Sequence, residues 1–421
     1  MRVLFLNSPT IFPVNPLPPL GIGFLASILE EKGCEVKIID LQVEDRSIEE
    51  EIEKFEPIFV GITSVTSTYP SAIRIASTIK SFWNGPIVMG GHHVSFQDRE
   101  ALETGLVDIV ARGEAESTIW DLVQALDGQM PVGKVKGISY RGNGTMVRTC
   151  DAPLVEDLDE LPWPARHLLP MNKYREMIDL THVLMSRGCP YTCLFCSCTQ
   201  MTQHTYRIRS PENVAREVEH VKKTYHFEKI AFFDDFFTYN RDAVLQLCLH
   251  LKEICIPWSC ATRVDYLGFD LLQEMRNAGC FRIFVGAESG NQEVLNRLAK
   301  GTRLDKLKEI ASYAKELGID LIPSFIIGLP WDTEETIQKT VEFSRSLDIG
   351  AVWLLPMTPF PGTPFYDHAE KYGIEIVEKD FSRYTTRSII AANRFLSIDK
   401  LKDLYLGALL KNPNIRVPEF V

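Results

Sequence analysis

The chain has 421 residues, 45% of them hydrophobic, and a formal net charge of −11. That length is enough for two or three packed domains, and the acidic balance, with no long basic run, excludes broad electrostatic capture of nucleic acid. No apolar run reaches the ~18 residues that cross a bilayer, so no membrane span is expected.

The first stretch, MRVLFLNSPTIFPV, has one basic residue and then a short apolar strand. It lacks the long apolar core and small-residue cleavage site of a secretion signal, so a cytoplasmic protein is expected. RVLFLN (2–7) reads as a buried strand, LGIGFLASILEEKG as an amphipathic helix closed by Gly33, and EVKIID as the next strand. Further strands are expected at 57–63, 85–91 and 107–113, with helices at about 69–82, 96–104 and 116–127. This alternation over residues 1–130 predicts a Rossmann-like, flavodoxin-like α/β domain: a parallel sheet with helices on both faces and its ligand at the strands' carboxyl ends.

Residues 131–180 read as a connector, with a hairpin turning at GNG and a proline-rich surface passage, LPWPARHLLP. A second β-α series follows over 181–365, with strands expected at 181–187, 229–234, 258–262, 282–287, 321–328 and 351–356. In the helix SPENVAREVEHVKKTY, Ser210 can cap and Pro211 suits the first helical position. Six such units predict an open, partial (β/α)6 TIM barrel with its active site at the strands' carboxyl ends. A short helical region, 366–421, closes the chain, and SIDKLKDLYLGALL is its best amphipathic stretch.

Just after the first strand of the second series comes SRGCPYTCLFCSC, with Cys189, Cys193, Cys196 and Cys198. Thiols stay reduced in the cytoplasm, so a metal site is favoured over a disulfide. A zinc site usually pairs two CxxC units, or CxxC with two histidines, a dozen or more residues apart. Here there is one compact triplet, and Cys198 is cramped as a fourth zinc ligand. Three thiolates on one loop can instead hold three irons of a cubane cluster and leave the fourth open. The other cysteines, Cys34, Cys150, Cys248, Cys255, Cys260 and Cys280, are scattered and mostly suit small buried apolar positions.

CxxxCxxC with Phe195 before its last cysteine resembles the radical S-adenosylmethionine (SAM) superfamily. The N-terminal region resembles the cobalamin-binding domain of one large branch, the class B radical SAM methylases. The resemblance covers nearly the whole chain and implies a 4Fe-4S cluster on Cys189, Cys193 and Cys196, with SAM on the open iron. It places Phe195 at SAM, matches Asp234 or Asp235 to the acceptor for the SAM amino group, and matches Glu288 and Ser289, in GAESG, to its ribose. Arg263 could pair its guanidinium with the SAM carboxylate. The bland alternatives are a helix-capping acid pair, a surface ion pair and a structural strand end. Trp331 and Trp353 are read as packing residues.

For cobalamin, the resemblance puts the loop Ser64, Val65, Thr66, Ser67 and Tyr69 under the corrin. Gly90, Gly91, His92 and His93, with Gly113 and Glu114, would surround the nucleotide tail. No histidine follows the first strand, so cobalamin is expected base-off, without a protein histidine on cobalt. A flavin or nucleotide domain is the rival, weakened by the lack of GxGxxG after that strand.

The implied activity is methylation of an unactivated carbon through methylcobalamin and a 5′-deoxyadenosyl radical, on a peptide or protein side chain or a small precursor. An electron donor such as ferredoxin or flavodoxin is implied. The alternatives are a cyclisation or rearrangement without methyl transfer, and a non-catalytic corrinoid carrier or sensor. A methylthiotransferase is disfavoured, because only Cys34 and Cys150 precede the motif.

Overall fold

The computed structural model describes residues 1–10, 16–142 and 144–417. The chain forms two compact units: Met1–Ile178 together with Asp380–Ser382, and Asp179–Lys379 together with Arg383–Val421.

The first unit is built on seven strands: β1 (Arg2–Asn7), β2 (Glu35–Asp40), β3 (Phe59–Thr63), β4 (Ile87–Gly90), β5 (Ile109–Ala111), β6 (Ile138–Gly142) and β7 (Thr145–Arg148). They lie in the order β2-β1-β3-β4-β5-β6-β7. β1 to β5 are parallel, and their apolar runs are buried on both faces, as in RVLFLN, where Val3, Leu4 and Leu6 have no exposed surface. The strand order reverses between β1 and β3. That is the switch point at which open α/β sheets place ligands.

Residues 131–180, expected as a connector, supply β6 and β7, which pair antiparallel and extend this sheet. Asn143, in the expected GNG turn, lies outside the described residues, as does 11–15 in the loop after β1. The proline-rich passage is docked on helix Leu20–Glu31. Ala165 N donates to Gly23 O at 3.0 Å, Ser27 Oγ donates to Trp163 O, and a side chain at Gly23 would meet Pro164 Cβ at 3.0 Å. The helix expected over 96–104 is two short ones, His92–Phe96 and Asp98–Glu103.

The second unit contains β8 (Thr181–Val183), β9 (Ser186–Arg187), β10 (Arg207–Ile208), β11 (Ile230–Phe232), β12 (Trp258–Thr262), β13 (Cys280–Glu288), β14 (Asp320–Ile327), β15 (Val352–Pro356), β16 (Ile374–Ile376), β17 (Ala391–Asn393) and β18 (Ile415–Arg416). Its main sheet runs β18-β15-β14-β13-β12-β11-β8, all parallel. β8 and β11 to β15 are the six strands of the open barrel series.

The first strand, expected over 181–187, is broken. Arg209 takes the backbone of Leu184 and Met185 out of the sheet, its Nη1 donating to Leu184 O and its N to Met185 O, each at 2.8 Å. Arg209 is itself held by buried Glu217 and Asn213. β9 then pairs with β10 alone. Helix Pro211–Tyr225 starts as its sequence requires, with Ser210 Oγ accepting from Asn213 N at 3.3 Å. The C-terminal region carries helix Ile398–Lys411 and the small antiparallel pair β16–β17. Among the described residues no helix is long and apolar enough to cross a membrane.

Candidate active site

The cysteine loop leaves β9 through Gly188, whose φ is +87° and where a Cβ would sit 2.0 Å from Thr205 O. Only glycine fits that turn. Two carboxylates just past β11 anchor the same turn. Asp234 Oδ1 accepts from Ser186 N and, at 2.6 Å, from Ser186 Oγ, and Asp235 Oδ2 accepts from Gly188 N at 2.8 Å. Asp234 is buried, and its Oδ2 has no partner among the described residues. Burial pushes its carboxyl up to about 7, against the hydrogen bonds from Ser186.

Beyond the turn, Cys189, Cys193, Cys196 and Cys198 are half-buried, and Cys196 N donates to Cys193 O at 3.2 Å. Burial raises the Cys189 thiol and pushes Cys193 up to about 11. Cys196 and Cys198 split in opposite directions. Hydrogen bonding from Cys198 holds Cys196 below the usual thiol range, while the same bond and burial raise Cys198. Of the two, Cys196 gives up its proton more readily than Cys198. Phe195 is half-buried and packs against an apolar cluster that includes Leu295, Leu298, Leu329, Met357 and Phe365.

Glu288 ends β13 after a register shift and has φ +61°. It is buried and ion-paired to buried Lys300, whose Nζ also donates to Gly286 O at 2.8 Å. Nothing in AKGT marks Lys300 in the sequence; only the fold brings it to Glu288. Ser289 accepts from Asn291 N at 3.1 Å and lies 3.3 Å from Thr340 Oγ1, in the turn that starts helix Gln292–Arg297. Arg263 is buried. Its Nη2 donates to Asp265 Oδ2 at 2.8 Å and to Lys300 O, its Nη1 lies 4.0 Å from Cys193 Sγ, and its guanidinium stacks 4.0 Å above the Tyr191 ring.

In the first unit, the turns after β3, β4 and β5 are tied together. Ser64 N donates to Gly90 O at 3.0 Å. Ser95 Oγ donates to Gly91 O at 2.8 Å and accepts from Gly113 N at 2.9 Å. Gly91 has φ +105°, and a Cβ there would meet Ser64 O at 2.3 Å. Thr66 and Ser67 are buried in the turn, Glu114 is half-buried, and Val65 and His92 are exposed. His93 is enclosed, its ring centroid 4.1 Å from that of Tyr69 at a 33° tilt and met edge-on at 4.6 Å by Phe381. Burial alone lowers its pKa to about 3, so the ring is neutral. Ser8 Oγ, Ser64 Oγ, Tyr69 Oη and both His93 ring nitrogens are buried without a hydrogen-bond partner among the described residues. Leaving such groups unpaired costs about 1–3 kcal/mol each, so a cluster of them at a sheet's switch point marks a ligand site. Ser8, one residue past β1, was not singled out by the sequence.

Both places fit the groups that the resemblance implies: a thiol set on one loop, and a glycine-lined cradle with unpaired hydroxyls. A Radical SAM superfamily model matches residues 183–344, and a B12 binding domain model matches residues 13–123. An uncharacterised methyltransferase of Pyrococcus horikoshii, PH0819, is 33% identical over 97% of this chain and 92% of its own length. The chain belongs to the B12-binding radical SAM family. Its cofactors are a 4Fe-4S cluster, SAM and cobalamin. Another relative of this radical SAM enzyme is the anaerobic magnesium-protoporphyrin IX monomethyl ester cyclase of Rubrivivax gelatinosus. It is 30% identical over 91% of this chain and 72% of that one. In fold, the enzyme matches the radical SAM methyltransferase TsrM from Kitasatospora setae, solved with cobalamin and its cluster. The TM-score is 0.81 at 17% identity, covering 99% of this chain and 91% of TsrM.

Proposed function

We propose that this enzyme transfers a methyl group from SAM to an unactivated carbon, on a peptide or protein side chain or a small precursor. The observation that carries the reading is the likeness over nearly the full length to a methyltransferase that spans both domains. When bound, the cofactors supply the methyl group and the radical that activates the carbon. The chain's own residues hold and shield them.

In this reading Cys189, Cys193 and Cys196 ligate the cluster, and Cys198 stays protonated beside Cys196. Asp234 and Asp235 fix the loop, and the unpaired Asp234 Oδ2 is the oxygen left to accept from the SAM amino group. Glu288, held by Lys300, and Ser289 face the ribose, with Phe195 packed behind the cluster loop. In the first unit, the turns at Ser64–Tyr69, Gly90–His93 and Gly113–Glu114, together with Ser8, hold cobalamin. A cytoplasmic one-electron donor such as ferredoxin or flavodoxin reduces the cluster.

The test is product analysis with anaerobically reconstituted enzyme, methyl-deuterated SAM and fractionated extract as the source of acceptor. Deuterated methyl on a carbon of the product, with S-adenosylhomocysteine and 5′-deoxyadenosine both released, is the expected outcome. The cyclase relative favours a second reading, radical chemistry without methyl transfer. That reading gives 5′-deoxyadenosine without S-adenosylhomocysteine, and an unlabelled product.

A further inference from the structure

Arg263 follows β12, and the sequence offered it as a partner for the SAM carboxylate. Its surroundings point elsewhere. The residue is 8% exposed, and its Nη2 is already shared between Asp265 and the backbone oxygen of Lys300. Nη1 faces Cys193 Sγ at 4.0 Å. The plane of the guanidinium lies 4.0 Å from the Tyr191 ring, and Tyr191 Oη is in turn 2.7 Å from Tyr266 Oη. Tyr191 sits midway between Cys189 and Cys193, so the stacked cation grips the loop between two thiols. Asp265 is 23% exposed on its side chain and takes the far edge of the fork. The near edge, with its share of the positive charge, is left toward sulfur. The second cation nearby, Lys300, also acts on Cys193, and its ion pair with buried Glu288 offsets part of that charge.

We propose that Arg263 is a positioning residue for the iron–sulfur cluster. It donates an N–H to the Cys193 sulfur and raises the potential at which the cluster accepts an electron. The reduced cluster carries one more negative charge than the oxidised one. A fixed cation and a donor on a ligand sulfur therefore stabilise the reduced form more, and burial strengthens the effect. A guanidinium is suited to this because it stays charged and its fork divides between Asp265 and the sulfur. The inference rests on Cys193 being a cluster ligand.

The experiment compares wild type with Arg263→Gln and Arg263→Lys, each reconstituted with iron and sulfide. Three quantities are read: iron per chain, the cluster midpoint potential by EPR-monitored redox titration without SAM, and the equilibrium SAM dissociation constant. We expect wild-type iron content, a potential lowered in Arg263→Gln and lowered less in Arg263→Lys, and SAM affinity within about twofold of wild type. Tyr191→Phe, which keeps the ring beneath the cation, should leave the potential where it is. An unmoved potential with SAM affinity weakened tenfold or more would make Arg263 the SAM carboxylate partner and overturn the inference. An unmoved potential with unchanged SAM affinity would reduce it to a loop anchor. Loss of the cluster from both Arg263 variants would show a folding role instead. Full cluster content in Cys193→Ala is a separate result, which removes the ligand assignment and this inference with it.

Discussion

Cys196 and Cys198 are two residues apart, yet their surroundings shift their thiols in opposite directions. Burial raises Cys189 and Cys193 as well, so the CxxxCxxC spacing, and not protonation, separates ligand from neighbour. Changing Cys189, Cys193 or Cys196 to Ala should each remove the iron–sulfur absorbance, whereas Cys198→Ala should keep it. Glu288 carries a second prediction. Glu288→Gln removes the partner of a buried lysine, and breaking a buried pair from one side costs about 3 kcal/mol. Chemical denaturation should show a loss of that order, and SAM binding should weaken roughly tenfold if the carboxylate also accepts from the ribose. Glu288→Gln combined with Lys300→Met should recover stability but not SAM binding. The carboxylate itself was legible, because it ends an apolar strand. Its counter-ion was not, since Lys300 reaches it through the return of the chain after helix Gln292–Arg297. The contact of Arg263 with Cys193 spans 70 positions and has no local signature either.

Among the elements, the helices declare themselves best. Ser210 with Pro211 and Ser397 before helix Ile398–Lys411 both cap as their sequences require. Ser397→Ala should cost about 1 kcal/mol, read as a lowered denaturation midpoint. Asp332, one residue before the cap Thr333, is a buried pH-sensitive group. It accepts from Leu329 N at 3.0 Å and Thr336 Oγ1 at 2.8 Å at the start of helix Glu334–Ser346, but burial pushes its carboxyl up to about 7. The folded state thus holds this proton more tightly than the unfolded chain. Its contribution to stability is present below the ordinary carboxyl range and fades as pH rises through about 7. Asp332→Asn should flatten that part of the stability profile, measured by urea unfolding at pH steps across this window. Strand boundaries were less legible. Nothing in THVLMSR announces that Arg209 will take Leu184 and Met185 out of the sheet, and although GNG marks a hairpin, nothing local says that it pairs with β5.

For the molecule as a whole, the β-α rhythm was enough to give the parallel sheet, the open barrel series and their order. The rhythm does not reveal that Asp380–Ser382 belongs with the first unit while the residues on either side belong with the second. Phe381 packs on His93 and Tyr69 there. Phe381 is half-buried, so Phe381→Ala should lower the stability of the N-terminal sheet by less than the ~3 kcal/mol of a fully buried ring. Hydrogen exchange of helix Tyr69–Phe82 is the direct measure, since that helix begins at the ring Phe381 covers. Unchanged protection there would mean the ring contributes nothing to that unit.

The same strap has a consequence for synthesis. Chains fold from the N-terminus as they leave the ribosome. The strands of the first sheet are all made by residue 148, but the ring that closes over His93 and Tyr69 is not made until residue 381. Through that interval the nascent N-terminal unit has its sheet but not its aromatic cover. A ribosome stalled before codon 380 therefore displays this face of the unit open, and one stalled well after it displays the face closed.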